Sequence, residues 1–369
     1  MINPFYEKLA NLAVNYSLNV KKGDRVYIVG PNFTQELLQA LHVEVIKAGA
    51  HSFVRPLMEG GAEILLKFGT EDQLTYVDEV VFKVYKEFDC FIQILADYNT
   101  RKFSLVDPAI MGKWRAAPKR RELAEIMSER HASGELKWVV VPYPCQSHAQ
   151  EANMDLFSFS KYVEKALLLD KEDPAREWTQ IDKEQEKIVK ILNKVEHIKV
   201  IGEDTDLEFS VKGRTWENCS GENNLPDGEV FTGPVEDSVN GKIRFTFPGI
   251  YSGREVKNIY LEFKEGKVIK ATADQGEDLL KVILKIENAD IIGEFAIGTN
   301  YGVTTFIKNM LFDEKMGGTI HCALGLGLPE TGSKNVSAIH WDILKDMKQP
   351  GSKILADNKV IYEEGKWKI

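Results

Sequence analysis

The sequence predicts an α/β N-terminal domain followed by an α+β, β-rich C-terminal domain. Two observations support this division. A chain of 369 residues is longer than one typical hydrophobic core requires. The spacing of apolar residues also changes near Ile198, from the helical period of about 3.6 to the strand period of about 2. We therefore predict one domain over residues 1–195 and a second over residues 196–369.

The first half of the chain alternates strand-like and helical segments. Buried strands are predicted over 25–30, 51–57, 90–96 and 137–144. Helical spacing is clearest over 31–50, where Gly49 suits a helix C-cap, and over 71–87 and 119–130. This β-α-β rhythm indicates an α/β domain. Because the chain has no GxGxxG or GxxxxGK[ST] motif, we interpret the domain as a scaffold that faces the substrate.

Two helices are predicted to connect the halves, one over about 159–169 and one from near Pro174 to about Asn193. Beyond them, apolar and polar residues alternate, and turns that contain glycine separate the runs. The clearest runs are KIRFTFPG, KNIYLEFKEGKVIKATA and KVIYEEGKWKI. Alternation of this kind predicts antiparallel strands in the second domain.

Composition and charge exclude several classes of protein. A net charge of -9 argues against a general partner for nucleic acid or an anionic membrane, because both need a positive field. No apolar run approaches the roughly 20 residues of a membrane span. The N-terminal segment lacks the pattern of a secretory signal. The four cysteines are scattered and form no CxxC motif, so we expect reduced thiols and a cytoplasmic location.

The segment SAIHWD at 337–342 is the most informative motif of the second half. It places His340 and Asp342 two residues apart in an apolar stretch that is typical of a strand. Alternation then puts both side chains on one face, while Ile339, Trp341 and Ile343 occupy the buried face. An imidazole and a carboxylate that point into the same space suit a divalent cation.

Three further candidate ligands lie in predicted strands of the same domain. Glu294 shares its strand face with the small residues Ala296 and Gly298, which leave room for an ion or a substrate. His321 also has small or polar neighbours on its face, and Glu229 opens a short alternating stretch after a turn. Each of these residues alone is more often a surface charge or a hydrogen-bonded core histidine, so the prediction depends on their combination.

The combined donor set consists of two glutamates, one aspartate and two histidines, without a thiolate. Such a set suits zinc, cobalt or manganese. Five side chains exceed what one four-coordinate zinc with an open position needs. Two ions that share a bridging carboxylate, about 3.5–4 Å apart around an activated water, account for the surplus.

Four separated segments of the second half resemble, in order and relative spacing, the aminopeptidase T family of dinuclear metallopeptidases. These segments are LPDGEVFTGPVEDSVNGKIRF, IGEFAIGTN, FDEKMGGTIHCALG and PETGSKNVSAIHWD. The resemblance is strongest over about 222–343 and weaker over the first half. It implies a two-domain subunit that forms a homodimer, binds two divalent metal ions in its C-terminal domain and releases N-terminal residues from peptide substrates.

The resemblance also assigns roles to particular residues. By motif, the positions that match the family's metal ligands are Glu229, Glu294, His321, His340 and Asp342. We expect a carboxylate of the site, with Glu294 as the candidate, to move the proton from the attacking water to the leaving amine.

One position departs from the family pattern. The family has a tyrosine that contributes to the metal site, whereas this chain reads ALGLGLPE with Leu328 at that position. A leucine side chain can neither bind a metal nor donate a proton. Two alternatives to the aminopeptidase therefore stay open: a metal-dependent hydrolase of another small amide or ester, and a peptide-binding homologue with reduced activity.

Overall fold

The computed structural model describes residues 3–369, which form two compact units. The first unit contains the chain up to Ala175 together with Gly221–Pro226, and the second contains Arg176–Ser220 and Asp227–Ile369. Within residues 3–369, no helix has both the length and the apolar character that crossing a bilayer would require. The four cysteines are all free thiols.

A four-stranded parallel sheet forms the centre of the first unit. Its strands are β1 (Arg25–Pro31), β2 (His51–Leu57), β3 (Cys90–Leu95) and β4 (Lys137–Pro142). They are ordered β2-β1-β3-β4. The central strand β1 is an apolar run that is buried from Val26 to Gly30, as expected for a parallel strand covered on both faces. All four strands predicted for this half are confirmed.

One helix precedes β1, and further helices follow the strands. They are α1 (Pro4–Asn11), α2 (Gln35–Lys47), α3 (Gly61–Phe68), α4 (Glu71–Thr75), α5 (Glu79–Glu87), α6 (Pro108–Arg115), α7 (Pro118–Ala132), α8 (Gln146–Glu151) and α9 (Leu156–Ala166). Gly49 follows α2 with a φ of 76°, which confirms the predicted C-cap. The helical stretch predicted over 71–87 consists of two helices, because the side chain of Asp78 accepts a hydrogen bond from Val80 N and begins the second helix there.

The second unit begins with most of a long helix and continues mainly as strands. Helix α10 covers Pro174–Leu192. The strands are β5 (His197–Gly202), β6 (Thr205–Ser210), β7 (Glu217–Cys219), β8 (Glu229–Thr232), β9 (Asn240–Arg244), β10 (Gly249–Tyr251), β11 (Arg254–Val256), β12 (Tyr260–Lys264), β13 (Lys267–Thr272), β14 (Ile292–Gly298), β15 (Thr319–Gly325), β16 (His340–Asp346), β17 (Lys353–Ala356), β18 (Lys359–Glu363) and β19 (Lys366–Trp367). Two short helices interrupt them, α11 (Glu277–Ile283) and α12 (Met310–Asp313).

These strands form two larger antiparallel sheets and one hairpin. The eight-stranded sheet has the order β13-β12-β9-β6-β5-β17-β18-β19, the five-stranded sheet has the order β16-β15-β14-β8-β7, and β10 pairs with β11. One face of the five-stranded sheet packs into the main hydrophobic core through side chains such as Phe295, Cys322 and Ile343, none of which is exposed. The Cys322 thiol therefore points into the core and away from the candidate ligands. The opposite face of this sheet carries those ligands.

Candidate metal centre

Strand register brings all five candidate ligands onto one face of the five-stranded sheet. Glu294 lies on β14, His321 on β15, Glu229 on β8, and His340 and Asp342 on β16. Each lies opposite an alanine or glycine of a neighbouring strand, so the space above the sheet is not filled by large side chains. The pairs are Glu294–Ala323, Ala323–Asp342, His321–Ala296, Glu229–Gly298 and His340–Gly325.

Glu294 occupies the middle of this group. Its Oε1 atom lies 3.4 Å from His321 Nε2, and its Oε2 atom lies 3.0 Å from His340 Nε2. On one side, Glu229 Oε2 is 3.5 Å from His321 Nε2. On the other side, Asp342 Oδ1 is 3.3 Å from His340 Nε2. The carboxylate of Glu294 therefore belongs to two triplets of donors at once.

The two triplets have the dimensions of metal sites. Donor atoms of Glu229, Glu294 and His321 lie within 4.8 Å of one another, and so do those of Glu294, His340 and Asp342. Glu229 Oε2 is buried and forms no hydrogen bond to any described residue. Buried oxygens are normally paired, and a cation at this position would satisfy the lone pairs of the carboxylate. The residues present thus fit a divalent metal.

His340 is held in place by the loop that follows its partner strand β15 and leads into β16. Its Nδ1 atom lies 2.8 Å from the Leu326 carbonyl oxygen, which leaves Nε2 directed at the carboxylates. Gly325 begins this loop with a φ of 102°, and a Cβ atom there would lie 2.3 Å from the Ile339 carbonyl oxygen. A hydrogen bond from the ring nitrogen that faces away from the metal typically sets the tautomer of a ligating histidine.

A buried lysine next to the site was missed by the sequence analysis. Lys315 is 1% exposed, and its Nζ atom lies 2.5 Å from Glu229 Oε1, 2.8 Å from Glu314 Oε1 and 3.5 Å from Asp227 Oδ1. The backbone at Lys315 and Met316 packs closely against Gly298, where a Cβ atom would lie 2.2 Å from the Met316 carbonyl oxygen. The only sequence signal is the acidic-basic pair in FDEKMGG, which resembles any surface pair until the fold buries it.

Glu314 adds a third triplet of donors. One of its carboxylate oxygens lies within 4.8 Å of donor atoms of His321 and Asp342. Burial raises the pKa of Glu314, and the Lys315 ammonium opposes that shift. The site therefore contains a carboxylate that ion-pairs with a lysine instead of lying between the two histidines.

The charges of the cluster leave a large negative excess. The buried or half-buried carboxylates are those of Asp227, Glu229, Glu294, Glu314 and Asp342. Lys315 is the lysine that ion-pairs with them among the described residues. Five carboxylates less one ammonium leave four negative charges, which two divalent ions with neutral imidazoles would balance. Buried charge that is left unbalanced is costly.

Without metal, bound protons balance part of the negative charge of these carboxylates. Burial disfavours the charged form of His321, but the hydrogen bond to Glu294 and the charge of Glu229 outweigh it and raise the pKa of His321 to about 9. Burial is likewise outweighed at His340, where Asp342 and Glu294 raise the pKa to about 12. Burial raises the pKa of Glu229 to about 7 although Lys315 opposes the shift.

These pKa values predict how the chelated protein responds to pH. A histidine with a raised folded-state pKa stabilises the fold fully below its unfolded pKa of about 6.5, and the contribution is lost as pH rises through the folded value. We therefore expect chelated protein to lose stability as pH rises from about 6.5 towards the His321 pKa of about 9. Thermal unfolding at a series of pH values, with and without chelator, measures this. A chelated protein whose stability rises over that interval contradicts the assignment.

The chemistry of this sheet face is that of a metal-dependent hydrolase. Oxygen and nitrogen donors surround the Glu294 carboxylate, and such donors suit the divalent ions that metal-dependent hydrolases use. The chain belongs to the thermophilic metalloprotease (M29) family, whose profile matches residues 3–367.

Individual relatives agree with this family. The chain is 25% identical to Aminopeptidase 2 of Geobacillus stearothermophilus over 98% of this chain and 97% of the relative. It is 24% identical to Aminopeptidase T of Thermus thermophilus over 79% of this chain and 76% of the relative. The structure of wild-type AmpT from Thermus thermophilus covers 99% of both chains with a TM-score of 0.87 at 21% identity.

The comparisons decide several predictions. The resemblance to the aminopeptidase T family is confirmed, and so are the mixed α/β fold and the predicted class of enzyme, a metal-dependent peptidase. The family is one of metalloproteases, which confirms dependence on a metal. The two alternatives, a hydrolase of another amide or ester and an inactive peptide-binding homologue, are not favoured.

Proposed function

We propose that this chain is a dinuclear aminopeptidase whose active site is the ligand-bearing face of the five-stranded sheet. The observation that supports this most strongly is the position of Glu294, which has one oxygen directed at His321 and the other at His340. A carboxylate in that position can bridge two ions. In this proposal the second unit is the catalytic, β-rich domain, and the domains predicted over 1–195 and 196–369 correspond to scaffold and catalytic parts.

The proposed ligands fall into two groups that share Glu294. Glu229 and His321 would complete one site, and His340 and Asp342 would complete the other. Zinc, cobalt and manganese all accept this donor set. When bound, two such ions would supply an activated water and polarise the scissile carbonyl.

We assign the transfer of the proton to Glu314 in preference to Glu294. Both oxygens of Glu294 face histidines, so this carboxylate is suited to metal binding. Glu314 instead pairs with Lys315, and one of its oxygens reaches the donor atoms of His321 and Asp342. A carboxylate held beside the site can accept a proton from the water and return it to the leaving amine.

The presence of Leu328 in place of the family tyrosine leaves the proposed metal ligands and the proposed proton-transfer residue intact. It is half-buried and immediately precedes the short 3-10 helix Pro329–Thr331. Its carbonyl oxygen accepts hydrogen bonds from Thr331 N and Oγ1, which shapes the loop. We propose that Glu314 and Lys315 supply the polar groups that catalysis needs, so that the family tyrosine is dispensable in this chain.

The proposal also covers the location and the oligomeric state of the protein. We propose a cytoplasmic homodimer that acts on peptides, supported by the family resemblance and by four cysteines that remain free thiols. In an aminopeptidase the free α-amino group of the substrate would bind at the acidic cluster. Because the two ions would already balance the charges of Glu229, Glu294 and Asp342, the amino group would bind there in its uncharged form, through its lone pair.

The requirement for that amino group is the test of the proposed function. Protein would be chelated, reloaded with zinc, cobalt or manganese, and given a leucyl peptide or its N-acetylated twin. We expect release of leucine from the free peptide alone and only with metal. Equal cleavage of both peptides would indicate a different amidase, and binding of the free peptide without cleavage under every metal would indicate an inactive homologue.

A further inference from the structure

A buried amide side chain joins helix α10 to the strand that carries Glu229. Gln185 lies on α10 and is 2% exposed, although glutamine is mostly an exposed residue in proteins. Its Nε2 atom donates to the carbonyl oxygen of Cys219 at 2.9 Å and to that of Glu229 at 3.1 Å. Its Oε1 atom accepts a hydrogen bond from Thr299 Oγ1 at 2.6 Å. One side chain therefore binds the end of β7, the first residue of β8 and the residue that follows β14.

These contacts surround Glu229 within the five-stranded sheet. Cys219 of β7 and Gly298 of β14 are the residues opposite Glu229 on its two neighbouring strands. Thr299 directly follows Gly298. Gln185 thus contacts the backbone of Glu229 and the chain on both sides of it.

A neighbouring side chain fixes which way round the amide lies. Asn218 Nδ2 donates to Asp182 Oδ1 at 2.8 Å. Asn218 Oδ1 is thereby left to accept from Gln185 Nε2, which lies 2.5 Å away. Three oxygen acceptors therefore face Nε2, and the amide nitrogen is the end of the glutamine that can donate to them.

The side chain of Glu229 is held separately from its backbone. Lys315 Nζ lies 2.5 Å from Glu229 Oε1. Glu229 Oε2 is 3.5 Å from His321 Nε2 and, within residues 3–369, accepts no hydrogen bond. With its backbone held by Gln185 and one oxygen held by Lys315, the carboxylate already directs its other oxygen at the imidazole. A ligand held in its binding geometry loses little conformational freedom when the ion binds.

We propose that Gln185 is a positioning residue of the metal centre, whose amide holds the start of β8 so that Glu229 meets the ion bound with His321. This inference rests on the proposed function, because it takes Glu229 as a metal ligand. Gln185 touches neither the ion nor the substrate and acts through Glu229. Replacing an outer partner of a metal ligand typically costs about 10–100-fold in metal affinity or activity.

Zinc affinity in the absence of substrate tests this role. Chelated full-length protein would be titrated by equilibrium dialysis against buffered free zinc. Methionine has a similar length but no amide, so for Gln185→Met we expect one of the two ions to bind about tenfold more weakly or worse. The other ion should keep its wild-type affinity. Excess zinc should restore peptide turnover by mass action without changing KM for the peptide.

A matched variant of the same helix separates positioning from a general loss of stability. Val189 lies one turn further along α10, is also buried and packs in the main hydrophobic core. Val189→Ala should lower the stability of the protein and leave both zinc affinities unchanged. In a Glu229→Gln background, Gln185→Met should weaken zinc binding no further, because its effect passes through Glu229.

The contradicting outcomes are distinct. Equal weakening of both ions, unchanged affinities in a folded Gln185→Met, or a further loss in the Glu229→Gln background overturns the positioning role. If Gln185→Met does not fold, Thr299→Val removes one hydrogen bond of the amide and should weaken the same ion by about threefold. Its failure to do so counts equally against the role. Wild-type protein that binds no zinc would instead overturn the proposed metal centre, and this inference with it.

Discussion

Replacing Glu294 with glutamine is expected to lower kcat/KM by about a thousandfold or more, equivalent to about 4 kcal/mol of transition-state stabilisation. Glu294 lies between His321 and His340, so the change weakens both proposed ion sites at once. An amide keeps the shape of the side chain but carries no charge and only one acceptor oxygen. Metal content after dialysis should therefore fall together with turnover.

Two matched variants serve as controls for this experiment. Glu314→Gln should retain the metal and lose turnover, because Glu314 is assigned to proton transfer. Glu262→Gln changes a glutamate of β12 in the other sheet, where it ion-pairs with Lys270, and should leave activity and metal content unchanged. If Glu294→Gln kept both its metal and its activity, the bridging position would be wrong.

Replacing Lys315 with methionine is expected to have the largest effect on stability. Removing one partner of a buried ion pair typically costs about 3–5 kcal/mol, because it leaves an uncompensated buried charge. Lys315 contacts Glu229, Glu314 and Asp227, so several carboxylates lose their counterion in chelated protein. Urea unfolding followed by circular dichroism measures the loss. Protonation relieves unpaired carboxylates, so the deficit should be larger at about pH 8 than at about pH 5.

Lys345 provides the control for burial alone. It is also 1% exposed, but its Nζ atom donates to the carbonyl oxygens of Glu203 and Arg244, and burial lowers its pKa. Lys345→Met removes a costly charge and leaves only carbonyl groups unsatisfied, at a cost of about 1–3 kcal/mol. Equal losses for the two variants, or a loss at Lys315 that does not grow with pH, would contradict the ion-pair account.

Local patterns were sufficient to predict the strands and the five candidate ligands. The alternation in SAIHWD places His340 and Asp342 on one face because a strand has a period of two, whatever lies beside it. The small residues Ala296 and Gly298 could likewise be interpreted without a structure, because the strand period of two places them on the same face as Glu294. In the structure, the register of β14 with β15 and β8 places those small residues directly opposite His321 and Glu229.

Groups that depend on distant contacts could not be predicted in this way. Lys315 reaches Glu229 across 86 positions of sequence, and nothing local distinguishes it from a surface lysine. Gln185 likewise reaches the backbone of Glu229 across 44 positions, from a helix to a strand. Asp78 is a local signal that the sequence analysis did not use: its side chain caps a second helix within the helical stretch 71–87.

The central claim is that one sheet face holds two divalent ions that share Glu294. Anomalous diffraction from crystals of the zinc-loaded protein tests it most directly. We predict two peaks about 3.5–4 Å apart, one on each side of the Glu294 carboxylate, with Glu229 and His321 at the first and His340 and Asp342 at the second. A single ion that does not contact Glu294, or ions bound elsewhere in a protein that still releases leucine, would contradict the claim.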